Sequence, residues 1–327
     1  MSVNFDEIWA LGVAGQATPK TISYLYKLLE APNPSTELQV CVSRIELAQL
    51  DAYSAINRAA EALAGLNNSS PWSGRALTVM SQGYGELGHT REGHQFAREA
   101  KQVSSEADEA EVFLAMAHNE LVDGNLDVAE RATATAIQVF NAHGKTQEMV
   151  AATIQLGTIR KEMGQPSAAE RAFEIAGRHL TAGQELQRAR IDALRASTVE
   201  EPGLAELRLI MHSVALAEQH DQKRALLEHY GDFAHVLSAT GDHEKAALVA
   251  QKLTTLAEKS GMIRPQLTGH KAMSNVLLRA GQVHQAQMAL ARARDVKPSM
   301  ILNDTTRVQH TLIQLKKLHR ELKQKIG

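Results

Sequence analysis

The sequence predicts an all-α protein built from repeated helical hairpins, and three observations carry that prediction. Alanine fills 49 of 327 positions while aromatic residues make up 4%, and strand-like alternation of Val, Ile, Thr and Tyr is missing. Apolar residues recur instead at three and four, as in Phe113, Met116, Ala117 and again in Ile210, Val214, Ala217, the spacing of one buried helical face. Turn signals punctuate the chain in LGHT, DGNLD, MGQPS, EEPG, TGDHE and AGQVH, and such regularity is the signature of a repeat.

Aligning the chain on Gly88, Gly124, Gly164, Gly241 and Gly281 gives separations of 36, 40, 77 and 40 residues. The 77 spans two units, with Glu201, Pro202 and Gly203 lengthening the link where a turn glycine is missing. Five residues after each glycine stand Gly93, Ala129, Ala169, Ala246 and Ala286; twelve after stand Ala100, Ala136, Ala176, Leu253 and Ala293. Small side chains at two fixed phases mean that two helices approach closely once per repeat.

These residues carry a resemblance. The chain resembles the tetratricopeptide repeat (TPR) family through Leu156, Gly157, Gly164, Ala169, Phe173, Ala176 in one unit and Met273, Ser274, Gly281, Ala286, Leu290, Ala293, Pro298 in another. Weaker matches are Met116, Ala117, Gly124, Ala129, Ala136 and Phe233, Ala234, Gly241, Ala246. The period exceeds the usual 34, as in the extended TPR-like repeats of bacterial regulators. One unit puts Leu50 in the glycine slot. The resemblance implies a right-handed superhelical solenoid of stacked helix-turn-helix repeats over residues 36–298, closed by capping helices or a degenerate repeat over 1–35 and by a capping or coiled-coil helix over 299–327.

The ends read as helices in their own right. Thr18 is placed to cap and Pro19 to open a second short helix, and Trp9, Tyr24, Leu25 and Leu28 are expected to bury the open end of the array. Beyond Pro298, Val308, Leu312, Leu315, Leu322 and Ile326 form a stripe beside Lys316, Lys317, Arg320, Lys323 and Lys325. That stripe reads as a cap on the last repeat, or as a heptad that pairs with a second copy or runs into a fused output domain.

One stretch mimics a small-molecule fingerprint. SQGYGELGHTREG holds Gly83, Gly85 and Gly88 in G-x-G-x-x-G spacing, with Asp108 twenty residues on. A dinucleotide site needs a strand before the first glycine and a helix opening at the last. In the repeat register Gly83 and Gly85 fall inside a helix and Gly88 is a turn glycine, so the packing reading is preferred.

Other chemistry is weakly announced. Fourteen histidines include no H-E-x-x-H and read as surface residues. Asp108, Glu109 and Glu111 read as a solvated helix start, and the single Cys41 lies in an apolar phase without a cue for activation. No catalytic set, metal site or cofactor is expected. A net charge of −2 gives no pull toward nucleic acid or an anionic membrane, no apolar run reaches spanning length, and a lone cysteine without a secretory leader points to the cytoplasm.

Binding is the remaining class. By the resemblance, contacts to a protein or peptide partner come from the first helix of each repeat, here Arg44, Arg75, Gln82, Glu111, His118, Thr158, Glu228, His235, Lys271 and Asn275. Lys271 and Asn275 match half of a clamp that holds a C-terminal carboxylate in some members. The expected function is a non-catalytic interaction scaffold. The alternative is a ligand- or peptide-sensing module of a bacterial signalling protein with output through the last helix.

Overall fold

The computed structural model describes residues 4–67 and 70–303. The sequence's last helical stripe, from Val308 onward, and its basic residues lie outside the described residues. Sixteen helices and no strand occur among the described residues. Two short helices, α1 (Phe5–Ala14) and α2 (Pro19–Leu29), precede seven hairpins. The first four are α3 (Thr36–Ala48) with α4 (Ala52–Gly65), α5 (Pro71–Glu86) with α6 (Thr90–Val103), α7 (Glu109–Asp123) with α8 (Leu126–Ala142), and α9 (Thr146–Glu162) with α10 (Pro166–Arg178). The last three are α11 (Glu185–Ala196) with α12 (Leu204–Gln219), α13 (Lys223–Ala239) with α14 (His243–Ser260), and α15 (Ile263–Arg279) with α16 (Val283–Asn303). The described residues form two compact units, one of residues up to Ala152 together with 301–303 and one of Thr153–Met300, the first division falling within α9.

All five aligned turn glycines adopt positive φ, between 71° and 91°, which an L side chain rarely tolerates. Leu50 sits in the same slot at φ 67°, so the first hairpin keeps the turn geometry without glycine. Its buried side chain offsets the backbone cost. Residues Glu201 to Gly203 fall in the long link between α11 and α12, where the Glu206 side chain accepts from the Gly203 N–H. Pro298 does not end the last hairpin, because α16 continues past it to Asn303.

The repeat's small residues mark where paired helices touch. Ala100, Ala129, Ala136, Ala169, Ala176 and Ala246 are fully buried. Seven residues before each turn glycine stands another small residue: Ser81, Ala117, Gly157, Ala234 or Ser274. In two hairpins this position makes the same bond, Ser81 Oγ donating to Gly93 O at 2.8 Å and Ser274 Oγ to Ala286 O at 2.9 Å. In a third, a Cβ on Gly157 would lie 2.4 Å from the ring of buried Phe173.

The same close packing explains the G-x-G-x-x-G stretch. Gly83 and Gly85 lie inside α5, where each costs on the order of 1 kcal/mol relative to alanine. Each admits a neighbour that a methyl would exclude: a Cβ on Gly83 would lie 2.6 Å from Ile56 of α4, and one on Gly85 1.9 Å from Asn119 Oδ1 of α7. Asn119 Nδ2 donates to Ser81 Oγ at 3.1 Å, so three helices meet at these positions. Among the described residues no strand leads into α5.

Within each unit the first helices also contact one another, α3 with α5 and α5 with α7 in one, α11 with α13 and α13 with α15 in the other. They form an inner layer behind which the second helices pack. Several histidines expected at the surface lie in this framework. His229 is fully buried on α13, its Nε2 3.0 Å from Ser213 Oγ of α12. Burial first, then the charge of Arg190, holds the imidazole down at about 3.

Two predictions follow from these contacts. Gly85→Ala should destabilise the first unit by roughly 1–3 kcal/mol through overpacking, and Asn119→Ala should recover part of that loss in a double-mutant cycle read by urea unfolding. His229 stays neutral in the folded chain while its unfolded counterpart gains a proton below pH 6.5. Its contribution is therefore complete above pH 6.5 and is lost toward pH 3, by up to about 1.4 kcal/mol per pH unit. His229→Gln should flatten the urea midpoint against pH over that window; an unchanged slope would show that His229 is not the responsible group.

Candidate functional site

The ten residues singled out from sequence fall five to each unit. In the first unit, α1 lies across the inner face and meets three successive first helices. Asn4 caps it by accepting from the Glu7 N–H, and Gly15 ends it at φ 66°. Of its buried stripe of Ile8, Trp9 and Gly12, Gly12 lies against α3. A Cβ on Gly12 would lie 2.8 Å from Arg44 Cγ, and the Cys41 thiol donates to the Phe5 carbonyl at 3.3 Å. Burial pushes that thiol up to about 12, so it is protonated and inert as a nucleophile at neutral pH.

Trp9 reaches farther. Its indole Nε1 donates to Glu111 Oε2 of α7 at 2.6 Å, and its ring stands edge-on to Trp72 of α5 at 6.3 Å. Phe5 meets Trp72 in the same way at 6.3 Å. The Arg75 guanidinium lies over both indoles, 4.4 Å from the Trp72 centroid and 5.5 Å from that of Trp9. It bonds Asp6 of α1 at 2.6 Å and Asp108 at 3.2 Å. Lys145 completes the group, 3.0 Å from Asp108 and 3.9 Å from Glu111.

Two cations thus face three carboxylates in a partly desolvated setting. Burial alone would raise Asp108, but Arg75 and Lys145 outweigh it and hold its carboxyl below the usual range. Glu111 is more deeply enclosed, and burial pushes it up against the pull of Lys145 and Arg75. The expectation of a solvated helix start at Asp108 and Glu111 is therefore corrected: both are buried, because α1 and Lys145 close over them.

The other predicted positions of this unit are also engaged. Arg44 donates to Gln82, and buried His118 stands 3.3 Å from the buried Glu86 carboxylate. Tyr24 is half exposed rather than buried, whereas Trp9 and Leu25 are buried. Sequence reasoning missed Asp6, Trp72 and Lys145 as partners of one site, since nothing in local spacing joins residues so far apart.

The second unit presents a different face. Glu228 forms a two-pronged pair with Arg190 of α11, at 2.8 and 2.9 Å, and Lys161 bridges Ser197 and Asp232. His235, Lys271 and Asn275 are exposed on α13 and α15. Thr158 turns its hydroxyl to its own helix, donating to Ile154 O at 3.2 Å. No group of three metal-binding side chains occurs among them, and no helix there is long and apolar enough to cross a membrane.

Arg75 is the node of the first unit. Arg75→Met should leave the Asp108 and Glu111 carboxylates under-compensated and cost about 3–5 kcal/mol, measured by chemical denaturation. A loss near zero would mean that Lys145 and solvent suffice for both.

No family model matches the sequence, and neither does any curated protein. Solved structures do. The Rap conjugation gene regulator of the plasmid pLS20, in complex with a Phr peptide, superposes with a TM-score of 0.65 at 14% identity over 81% of this chain and 74% of that one. Aspartyl phosphate phosphatase F from Bacillus subtilis gives 0.58 at 15% identity, covering 80% and 70%. A Rap protein complexed with competence and sporulation factor gives 0.56 at 11% identity, covering 98% of both chains. With helical hairpins, turn glycines and small-residue contacts in register, the chain has the tetratricopeptide-like helical repeat fold.

Proposed function

We propose that the chain is a non-catalytic, peptide- or protein-binding regulatory module. The observation that carries this reading is the inner face of the first unit, where the Trp72 ring, two cations and the carboxylates of Asp108 and Glu111 hold a ten-residue helix through its Asp6 and Trp9. Such a surface already performs helix-in-groove recognition on a segment of its own chain. Two of the similar structures were solved with a peptide or factor bound, which supports the same use of the fold.

Reactive groups argue in the same direction. The Cys41 thiol is buried and protonated, and His229 is enclosed in the framework with its Nε2 against Ser213 Oγ. Neither can meet a substrate. The second unit's exposed His235, Lys271 and Asn275 offer hydrogen-bonding and positive groups suited to an acidic or C-terminal segment.

The test is capture from lysate of the source organism by the intact chain and by a His235→Glu, Lys271→Glu variant. The variant should retain its helical circular dichroism and thermal midpoint while losing about tenfold or more in capture, roughly 1.4 kcal/mol of binding. Equal recovery of every protein by a folded variant would remove the second unit's face from the reading.

A further inference from the structure

The geometry points to the inner face of α3, α5 and α7 as a docking surface for an amphipathic helix of another protein carrying an acidic residue and, three positions on, a tryptophan. The chain's own α1 fills that surface as an internal ligand. This deepens the reading of the chain as a peptide-binding module, and it concerns the first unit alone.

What α1 contributes defines the occupant. Asp6 and Trp9 are three apart and lie on one face of the helix. The acidic side chain meets Arg75 at 2.6 Å. The indole inserts beside Trp72 and delivers its N–H to Glu111 at 2.6 Å. Gly12, one turn on, lets the helix settle against Arg44. A partner helix repeating this pattern satisfies the same groups: a carboxylate for Arg75, an indole donor for Glu111 and a small residue over Arg44.

Displacement of α1 is topologically cheap. It precedes all seven hairpins and is tied to α2 only by Gly15–Thr18, with Gly15 in the left-handed region. None of the hairpins is threaded through it. Asp6 is 75% exposed even when paired, so that half of the recognition is open to competition by an incoming carboxylate. When α1 leaves, Arg75 keeps Asp108 and Lys145 keeps both Asp108 and Glu111, which holds the vacated face in charge balance.

The experiment uses the full chain with Gly12→Cys and Arg44→Cys in a Cys41→Ser background. The Cβ added at residue 12 would lie 3.3 Å from that of residue 44, near the roughly 3.5–4.5 Å that a disulfide spans. The probe is a fluorescein-labelled peptide with the sequence of residues 4–17, NFDEIWALGVAGQA. The reduced chain should bind it and the oxidised chain should not. A peptide carrying Trp9→Ala should bind at least about tenfold more weakly. Equal binding to both redox forms, or binding to neither, overturns the proposal. A dimer that the peptide dissociates would assign the surface to a second copy's α1 and overturn the hetero-partner form. Hydrogen exchange on the unmodified chain gives an independent reading should the variant fold poorly. The α1 amides should open well before those of α3, and equal protection would make α1 a fixed part of the core. Because neither measurement touches His235 or Lys271, their failure is separable from failure of the lysate capture.

Discussion

In six of the seven hairpins, all but α11–α12, small residues let two helices approach closely, and the rest of the structure depends on that approach. A serine, alanine or glycine seven residues before the turn faces a small residue five after it, and a left-handed turn aims the second helix back along the first. Side chains of ordinary size would hold the axes apart at 8–10 Å or more. The small positions remove that spacing, and Phe173 over Gly157 fills what remains. Where the pattern is strained, a local substitute keeps the geometry: Leu50 takes the turn conformation of glycine, and Gly85 yields room for Asn119.

Stacking such hairpins brings first helices side by side, and this sets the electrostatics of the inner faces. Polar residues that point away from their own hairpin meet those of neighbouring hairpins, so charges pair between repeats: Arg190 with Glu228 and Arg75 with Asp108 one hairpin on, Lys161 with Asp232 two hairpins on. Pairs that keep solvent contact contribute little to stability. The group around Arg75 differs because α1 and two indole rings exclude water from part of it, which strengthens each interaction and makes the loss of any one member costly.

The hairpins were legible in the sequence because the signals are local and repeated. A turn glycine and the alanines five and twelve residues later recur in phase, and even the false fingerprint at Gly83, Gly85 and Gly88 resolves once that phase is imposed. The site around Arg75 was not legible. Arg75 and Glu111 lie on first helices, as their repeat phase requires, but their partners Asp6, Trp9 and Lys145 come from other elements 69, 102 and 34 residues away. Periodicity fixes which side of a helix faces inward; it carries no information about which distant segment will lie on it. Asp108 was misread for the same reason, since a carboxylate at a helix start looks solvated until a lysine from the next hairpin covers it.

An internal ligand changes how affinity at such a face must be read. A segment tethered by a few residues acts at an effective concentration in the millimolar range, so a free helix with the same contacts competes at a disadvantage. If the face is open about 1% of the time, a partner with an intrinsic Kd of roughly 1 μM shows an apparent value near 100 μM. Anything that loosens α1 then raises apparent affinity without touching the partner. Gly12 is the position where this balance is most directly set, because it has no Cβ to press on Arg44, and any larger residue there shifts the helix off the face. A binding surface made of many ordinary repeat contacts thus becomes conditional through one ten-residue helix, and the condition is written in the fit between Trp9 and the Trp72–Arg75 pair.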